Sequence, residues 1–424
     1  MLKENGEQSL KTFAETAYPP TVTEITSGIY HVMGYAHSNS IIIEAENSVI
    51  LIDTFETDAR AVKLKKIIAN ITEKPVKTII YTHGHPDHRG GAGVFSDTVE
   101  EVIAFAPMKP VLGRTDELND ILNKRSSYQF GYHLSDDEVI TQGIGIREGL
   151  VVGEGKRTFF PPTTVYKEEK VNRTIDGIRV ELVPALGETD DQIFIWLPDN
   201  KVLCCGDNYY GCFPNLYALR GSQYRDVSAW VESLNLILSY PAEYVLPGHT
   251  KPLIGRNHVQ EVLSNFRDAI EYVLTETLKG MNKGLTIDEL ASIITLPEKL
   301  DKLPYLGEFY GTVAWTVRSI YNGYLGWFDG NPTNLNKLPP KTHAAKMLDL
   351  IGSEEKTITE IKKALEDQEA QWAVELCDLL ISAEREIKIA KQLKSEGLMA
   401  MSKLETSANG RHYYIAYAKE LLEN

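Results

Sequence analysis

Three runs rich in β-branched residues follow one another early in the chain: 29–35 (IYHVMGY), 39–45 (NSIIIEA) and 48–53 (SVILID). Short turns separate them, a pattern that predicts consecutive strands. Residues 59–71 (ARAVKLKKIIANI) carry apolar positions at helical spacing, and 76–82 (VKTIIYT) reads as a buried strand. From about 110 to 170 the periodicity fails. That stretch is polar, glycine-rich and dotted with aromatics (SSYQFGYHL, FFPP). An irregular insertion acting as a lid is expected there, because long loops in compact domains are usually functional or disordered. Strands return at 179–185, 192–198 and 201–207, with the Asp-Asn at 199–200 as a hairpin turn. A helix over 228–240, a strand over 242–250 and a long helix over 257–280 follow. From 284 to 424 the pattern is almost entirely helical. The expected organisation is an α/β domain over 1–283 and an all-α domain over 284–424.

Composition narrows the function classes. Hydrophobic residues make up 43% and charged residues 24%, ordinary for a globular protein. The formal net charge of −15 argues against nucleic acid or an anionic membrane as the main partner. An anionic substrate must then be drawn in by local positive charge. No run approaches 18 uninterrupted apolar residues, and residues 1–20 lack the apolar stretch of a signal peptide. The four cysteines, Cys204, Cys205, Cys212 and Cys377, form no zinc-ribbon pair, which fits a reduced, cytoplasmic compartment.

The chemistry concentrates at the end of the 76–82 strand. His83, His85, Asp87 and His88 place three imidazoles and a carboxylate within six residues, followed by two glycines at 90–91. These are the side chains that zinc and similar first-row ions prefer. Buried without a cation they would carry a large desolvation cost.

This THGHPDH segment resembles the HxHxDH signature of the metallo-β-lactamase superfamily, and LIDT (51–54) resembles the strand that ends there in an aspartate, here Asp53. The resemblance implies an αββα sandwich with two metal ions on one edge, His83 and His85 on the first and Asp87 and His88 on the second. Downstream, GETDD presents Glu188, CCGDNYYGCFPNLYALRG presents Asp207, and LPGH presents His249. Their spacing resembles the alkylsulfatase branch. By that resemblance Glu188 completes the first site, Asp207 bridges the ions and His249 completes the second. Asp190 and Asp191 fit helix or turn caps better but compete with Glu188; a ligand role is open to His133, in the expected lid, although a lone histidine in a loop is usually solvated or held outside the ligand set. Residues 310–335, together with QWAVELCDLL and YYIAYAKELL, resemble the helical dimerisation region of alkylsulfatases. A homodimer through 284–424 is therefore implied.

The chain departs from that pattern in three ways. Asp207 stands where the family generally has glutamate, Arg89 where an aromatic or aliphatic residue is usual, and no sterol-carrier-like C-terminal domain follows. The last departure leaves long-chain detergent specificity unsupported by the resemblance.

Two cations sharing a carboxylate lower the pKa of a water, which Asp87 and Asp207 would orient or bridge, and stabilise a leaving oxyanion. A sulfate monoester also needs fixed positive groups. Arg220 takes the resemblance's sulfate position, with Arg225 and Asn215 as further donors; arginine's planar fork suits a tetrahedral oxyanion. Arg225 is equally readable as a surface ion-pair partner of Asp226. The expectation is an alkylsulfatase with two divalent ions, zinc first among them. The alternatives are a thioester, lactone or phosphodiester hydrolase of the same fold, a di-iron redox protein, or a dimeric interaction protein. The intact HGHPDH and the full set of candidate ligands weigh against the last two.

Overall fold

The computed structural model of the chain describes residues 5–109, 111–167 and 169–423. Two mixed sheets form its centre. The first runs β1 (Thr21–Thr26), β2 (Ile29–Met33), β3 (Ser40–Glu44), β4 (Val49–Ile52), β5 (Val76–Ile80), β6 (Glu101–Phe105) and β7 (Thr164–Tyr166), in that spatial order. The second contains β8 (Val171–Ile175), β9 (Ile178–Pro184), β10 (Ile193–Leu197), β11 (Val202–Gly206), β12 (Tyr244–Pro247) and β13 (Leu253–Ile254), again side by side in chain order. Strands β4, β5, β6 and β7 pair in parallel, as do β11 and β12; the other neighbours are antiparallel.

Side-chain alternation explains the layering. Along β4, Ile50 and Ile52 point between the sheets, whereas Val49 and Leu51 point outward against Ala61, Leu64 and Ile68 of the helix Asp58–Ile71. Along β10, Ile193, Ile195 and Leu197 share the layer between the sheets. Phe194 and Trp196 face the opposite way, toward Trp230 and Leu234 of the helix Val227–Ser239 and Phe266 and Ile270 of the helix Arg256–Asn282. Both faces of each sheet are apolar because both are covered. Each large side chain buried this way contributes roughly 1.5–3 kcal/mol. The result is an αββα sandwich.

The change of character near 280–285 coincides with the end of the helix Arg256–Asn282, but the packing continues past it. Leu290, Val317 and Ile320 join the same core as Phe266 and Ile270. A separate apolar cluster begins only at Ala344 and Leu348 and extends through Leu376, Leu380 and Ala390. The helical reading of the C-terminal region holds, from Ile287–Ile293 to Ala408–Glu423.

The 110–170 segment is more regular than its sequence suggests, because the helix Asn119–Gln129 occupies it. Positions 110 and 168 of that segment, with 1–4 and 424 at the chain ends, lie outside the described residues. Two anchors fix it. On one side, buried Glu56 accepts hydrogen bonds from Gly149 N (2.9 Å) and Arg60 Nη1 (2.5 Å), and Arg60 Nε reaches Glu154 at 3.2 Å. On the other, His412 of the last helix lies within hydrogen-bond distance of the carbonyls of Gln129 (2.9 Å) and Val139 (3.0 Å).

Candidate metal centre

The candidate ligands all sit at strand ends on one edge of the sandwich. His83 follows β5, Glu188 lies between β9 and β10, Asp207 directly follows β11, and His249 follows β12. His85 caps the one-turn helix Pro86–Arg89, whose first-position proline fixes the chain reversal that brings Asp87 and His88 back toward the sheet. Gly248 is required by space: a Cβ there would stand 2.4 Å from Asp207 Oδ1 and 2.8 Å from His88 Cε1.

The approach distances resolve into two sets that meet at Asp207. In the first, His83 Nε2 is 3.0 Å from His85 Nδ1 and 3.7 Å from Asp207 Oδ2, and His85 Nδ1 is 3.3 Å from Glu188 Oε2. In the second, Asp87 Oδ2 is 3.3 Å from His88 Nε2 and 3.4 Å from His249 Nε2. Both of those nitrogens also stand 3.4 Å from an Asp207 oxygen. Ligands 2.0–2.1 Å from a tetrahedral zinc lie about 3.3–3.4 Å apart, so this spacing suits such an ion. The donors also lack other partners: His88 Nε2, His249 Nε2 and Asp207 Oδ1 are buried without a hydrogen bond. Orphaned buried polar atoms are costly, and a cation among them removes that cost. The residues present therefore fit a divalent metal pair.

A surrounding layer orients the imidazoles. Asp53 Oδ2 lies 2.7 Å from His88 Nδ1 and also accepts from Thr82 Oγ1 at 2.8 Å. Asp53 holds this position with a left-handed φ of 57°, which aspartate tolerates better than most residues. His249 Nδ1 donates to the His37 carbonyl at 2.9 Å. Fixing the Nδ1 proton in this way turns Nε2 toward the centre, the usual arrangement of metal-ligating histidines.

Burial opposes ionisation of Asp87 and Asp207, but the neighbouring His88 and His249 imidazoles outweigh it and hold both carboxyls well below their ordinary range. Conversely, burial works against protonating His88 and His249. The carboxylates prevail, raising His88 well above its usual value and His249 to about 9.

The anion-binding candidates differ from one another. Arg220 lines the same cavity of about 450 Å³ as His85, Asp87, Glu188 and Asp207. Its backbone N–H is held by Gln129 Oε1 at 2.7 Å, and its guanidinium enters no ion pair among the described residues. Arg225 corrects the expectation of a surface pair with Asp226. It is buried, its Nη1 is 3.0 Å from Glu188 Oε1 and also donates to the Asn215 carbonyl, while Asp226 pairs with Lys109. Its charge is directed at a metal-ligand candidate: burial raises the Glu188 pKa, and the Arg225 charge together with the His85 imidazole outweighs that and lowers it. Tyr210 gives Glu188 a second partner at 2.9 Å. Asn215 also lines the cavity, its N–H bound to the Tyr210 oxygen at 2.6 Å.

Other sequence candidates fall outside the cluster. His133 lies beside Tyr128 and Lys419, away from the three groups of ligating side chains. Asp190 and Asp191 join none of those groups; the Asp190 carbonyl accepts from Met108 N at 2.7 Å. Arg89 lies over the Phe159 ring at 5.3 Å. All four cysteines are buried and free. The sequence reading missed His37, which groups with Asp87 and His249, and Tyr310, which lines the cavity. The only hint in the sequence was a histidine in a short loop between two strands.

Family models match two segments: the metallo-β-lactamase superfamily over 33–249 and alkyl sulfatase dimerisation over 286–424. A linear primary-alkylsulfatase from Pseudomonas sp. is 36% identical over 388 residues, covering 89% of this chain and 73% of the relative. An alkyl/aryl-sulfatase of Saccharomyces cerevisiae is 30% identical over 410 residues, and there the chain spans 63% of the relative's length. Among solved structures, the stereoselective inverting sec-alkylsulfatase of Pseudomonas sp. superposes with a TM-score of 0.87 at 26% identity, over 98% of this chain and 67% of the other. With the strand-end ligand edge, these matches show that the chain belongs to the metallo-β-lactamase superfamily and, within it, to the alkylsulfatases, a family of metal-dependent hydrolases.

Proposed function

We propose that this chain is a binuclear alkylsulfatase that releases inorganic sulfate from sulfate esters of alcohols. The observation that carries the reading is the meeting of two ligand sets at Asp207 in a cavity that also holds Arg220, a cation without a carboxylate partner among the described residues.

His83, His85, Glu188 and Asp207 would hold one divalent ion, and Asp87, His88, His249 and Asp207 the other. Bound there, the pair supplies a nucleophile from water at neutral pH and offsets charge on the departing oxygen. The residues of the chain do the rest. Arg220 meets the sulfate oxygens with its planar fork, and Asn215 lies on the same wall. Arg225 and Tyr210 fix the Glu188 carboxylate so that it cannot swing toward Arg220 and neutralise it. Gln129 positions Arg220 through its backbone, coupling the anion site to the 110–170 segment. That segment roofs the cavity with Phe130, Tyr132 and Leu150 and limits the entry of bulk water.

The helical region 284–424 serves in this reading as the interface of a homodimer. The dimerisation-family match and exposed apolar side chains such as Trp327 (73%) and Leu350 (82%) support it. No described helix is long and apolar enough to cross a membrane.

The test is sulfate release from short and long alkyl sulfates, with Arg220→Ala beside the wild type. Release by the wild type and its loss by at least a hundredfold in the variant, roughly 2.7 kcal/mol of transition-state stabilisation, is the expected result. No release from any chain length would overturn the reading.

A further inference from the structure

We propose that His37 is an additional ligand of the second metal site, supplying its Nε2 beside Asp87 and His249. The proposal rests on the binuclear reading above and adds a residue to it.

Three observations converge on this residue. First, one ligand atom from each of His37, Asp87 and His249 lies within 4.8 Å of the others, and the His37 and His249 rings meet edge to face at 5.3 Å. Second, His37 Nδ1 is 3.0 Å from the Ile146 carbonyl, an acceptor, so Nδ1 carries the proton and Nε2 keeps its lone pair. His88 and His249 are set in the same way, against Asp53 and the His37 carbonyl. A histidine whose outer nitrogen is pinned to a carbonyl presents its inner nitrogen to a metal. Third, the backbone around His37 is bound to the loops that carry its partners. The Ser38 hydroxyl donates to the Asp87 carbonyl at 2.7 Å, and Asn39 N donates to the Gly248 carbonyl at 2.7 Å. These bonds fix the His37 loop against both Asp87 and His249.

The consequence is an asymmetric pair. The first site offers two imidazoles and two carboxylates; the second would offer three imidazoles. Imidazole favours zinc, copper and nickel over manganese, so the second ion should be held more tightly and more selectively.

The experiment uses the full chain, stripped of metal and titrated with Co²⁺ in competition with a chromophoric chelator while the visible d–d bands are recorded. The wild type should take up two ions. His37→Ala should weaken one of them at least tenfold and alter the band of that ion alone. Added imidazole should restore the wild-type band, which a merely structural role for His37 would not allow. His37→Gln should keep the loop packed and show the same loss, which separates ligation from folding. Two ions bound by both variants with wild-type affinity and an unchanged spectrum would overturn the proposal. A wild type that takes up fewer than two ions would instead overturn the binuclear reading on which it stands, and the same titration reads this directly.

Discussion

Asp53 Oδ2 and His88 Nδ1 lie 2.7 Å apart, joining the end of β4 to the turn after β5 that carries the candidate metal ligands. The same carboxylate receives the N–H of Thr82 at 2.9 Å and its hydroxyl at 2.8 Å, so one buried side chain positions both His88 and the backbone leading into His83. Asp53→Ala should leave the seven metal-ligand candidates in place yet weaken metal binding by ten- to a hundredfold, the usual cost of removing such an orienting partner. Competition with a chelator measures this.

The two cavity arginines should separate by experiment. Arg225 is buried against Glu188, and removing one member of a buried pair costs about 3–5 kcal/mol because the other charge is left uncompensated. Arg225→Met should therefore lower the stability of the metal-free chain by an amount of that order in denaturant titration. Arg220→Ala breaks no ion pair among the described residues and should change stability by less than about 1 kcal/mol while abolishing sulfate release.

Gly248→Ala tests the closeness of packing at the centre. A methyl group 2.4 Å from Asp207 Oδ1 must displace the carboxylate shared by the two ligand sets. Metal content should fall below two ions per chain while far-ultraviolet circular dichroism stays at the wild-type level.

Glu148 gives a pH signature. Burial, with the Asp87 and Glu56 carboxylates adding to it and Arg157 opposing, raises its pKa to about 7. The folded-state value lies above the unfolded one, so the folded chain binds the extra proton and this stabilisation is present at low pH. It is lost as pH rises between the ordinary glutamate value of 4.5 and about 7. Each unit of that separation corresponds to about 1.4 kcal/mol. Denaturant midpoints of the metal-free chain should fall across this window, and Glu148→Gln should flatten the fall.

The parts of this site that were legible in the sequence are local. Four ligand types within six residues declare themselves, and β4, β5, β10 and β11 announce themselves as apolar runs because both sheet faces are covered. What stayed hidden depends on long-range contact. His37 reaches the centre only because Asn39 and Ser38 bind loops far along the chain. Arg225 reads equally as a donor to the substrate anion and as a surface partner of Asp226 until the fold buries it against Glu188. The helix Asn119–Gln129 (NDILNKRSSYQ) has almost no apolar face, and only Gln129 in it is buried, so periodicity had little to report. The packing between 284 and 325 hides for another reason. Its helices look like the rest of the C-terminal region, yet Leu290 and Val317 complete the core of the preceding sandwich.

The central claim is that sulfate release depends on two ions held at a shared Asp207. The most direct measurement follows free sulfate from an alkyl sulfate while metal-free chain is titrated with Zn²⁺, with bound metal counted at each point. The account predicts no release from the metal-free chain and full release only as occupancy reaches two ions per chain. Full release from the metal-free chain, or at one ion per chain with no further rise, would contradict it.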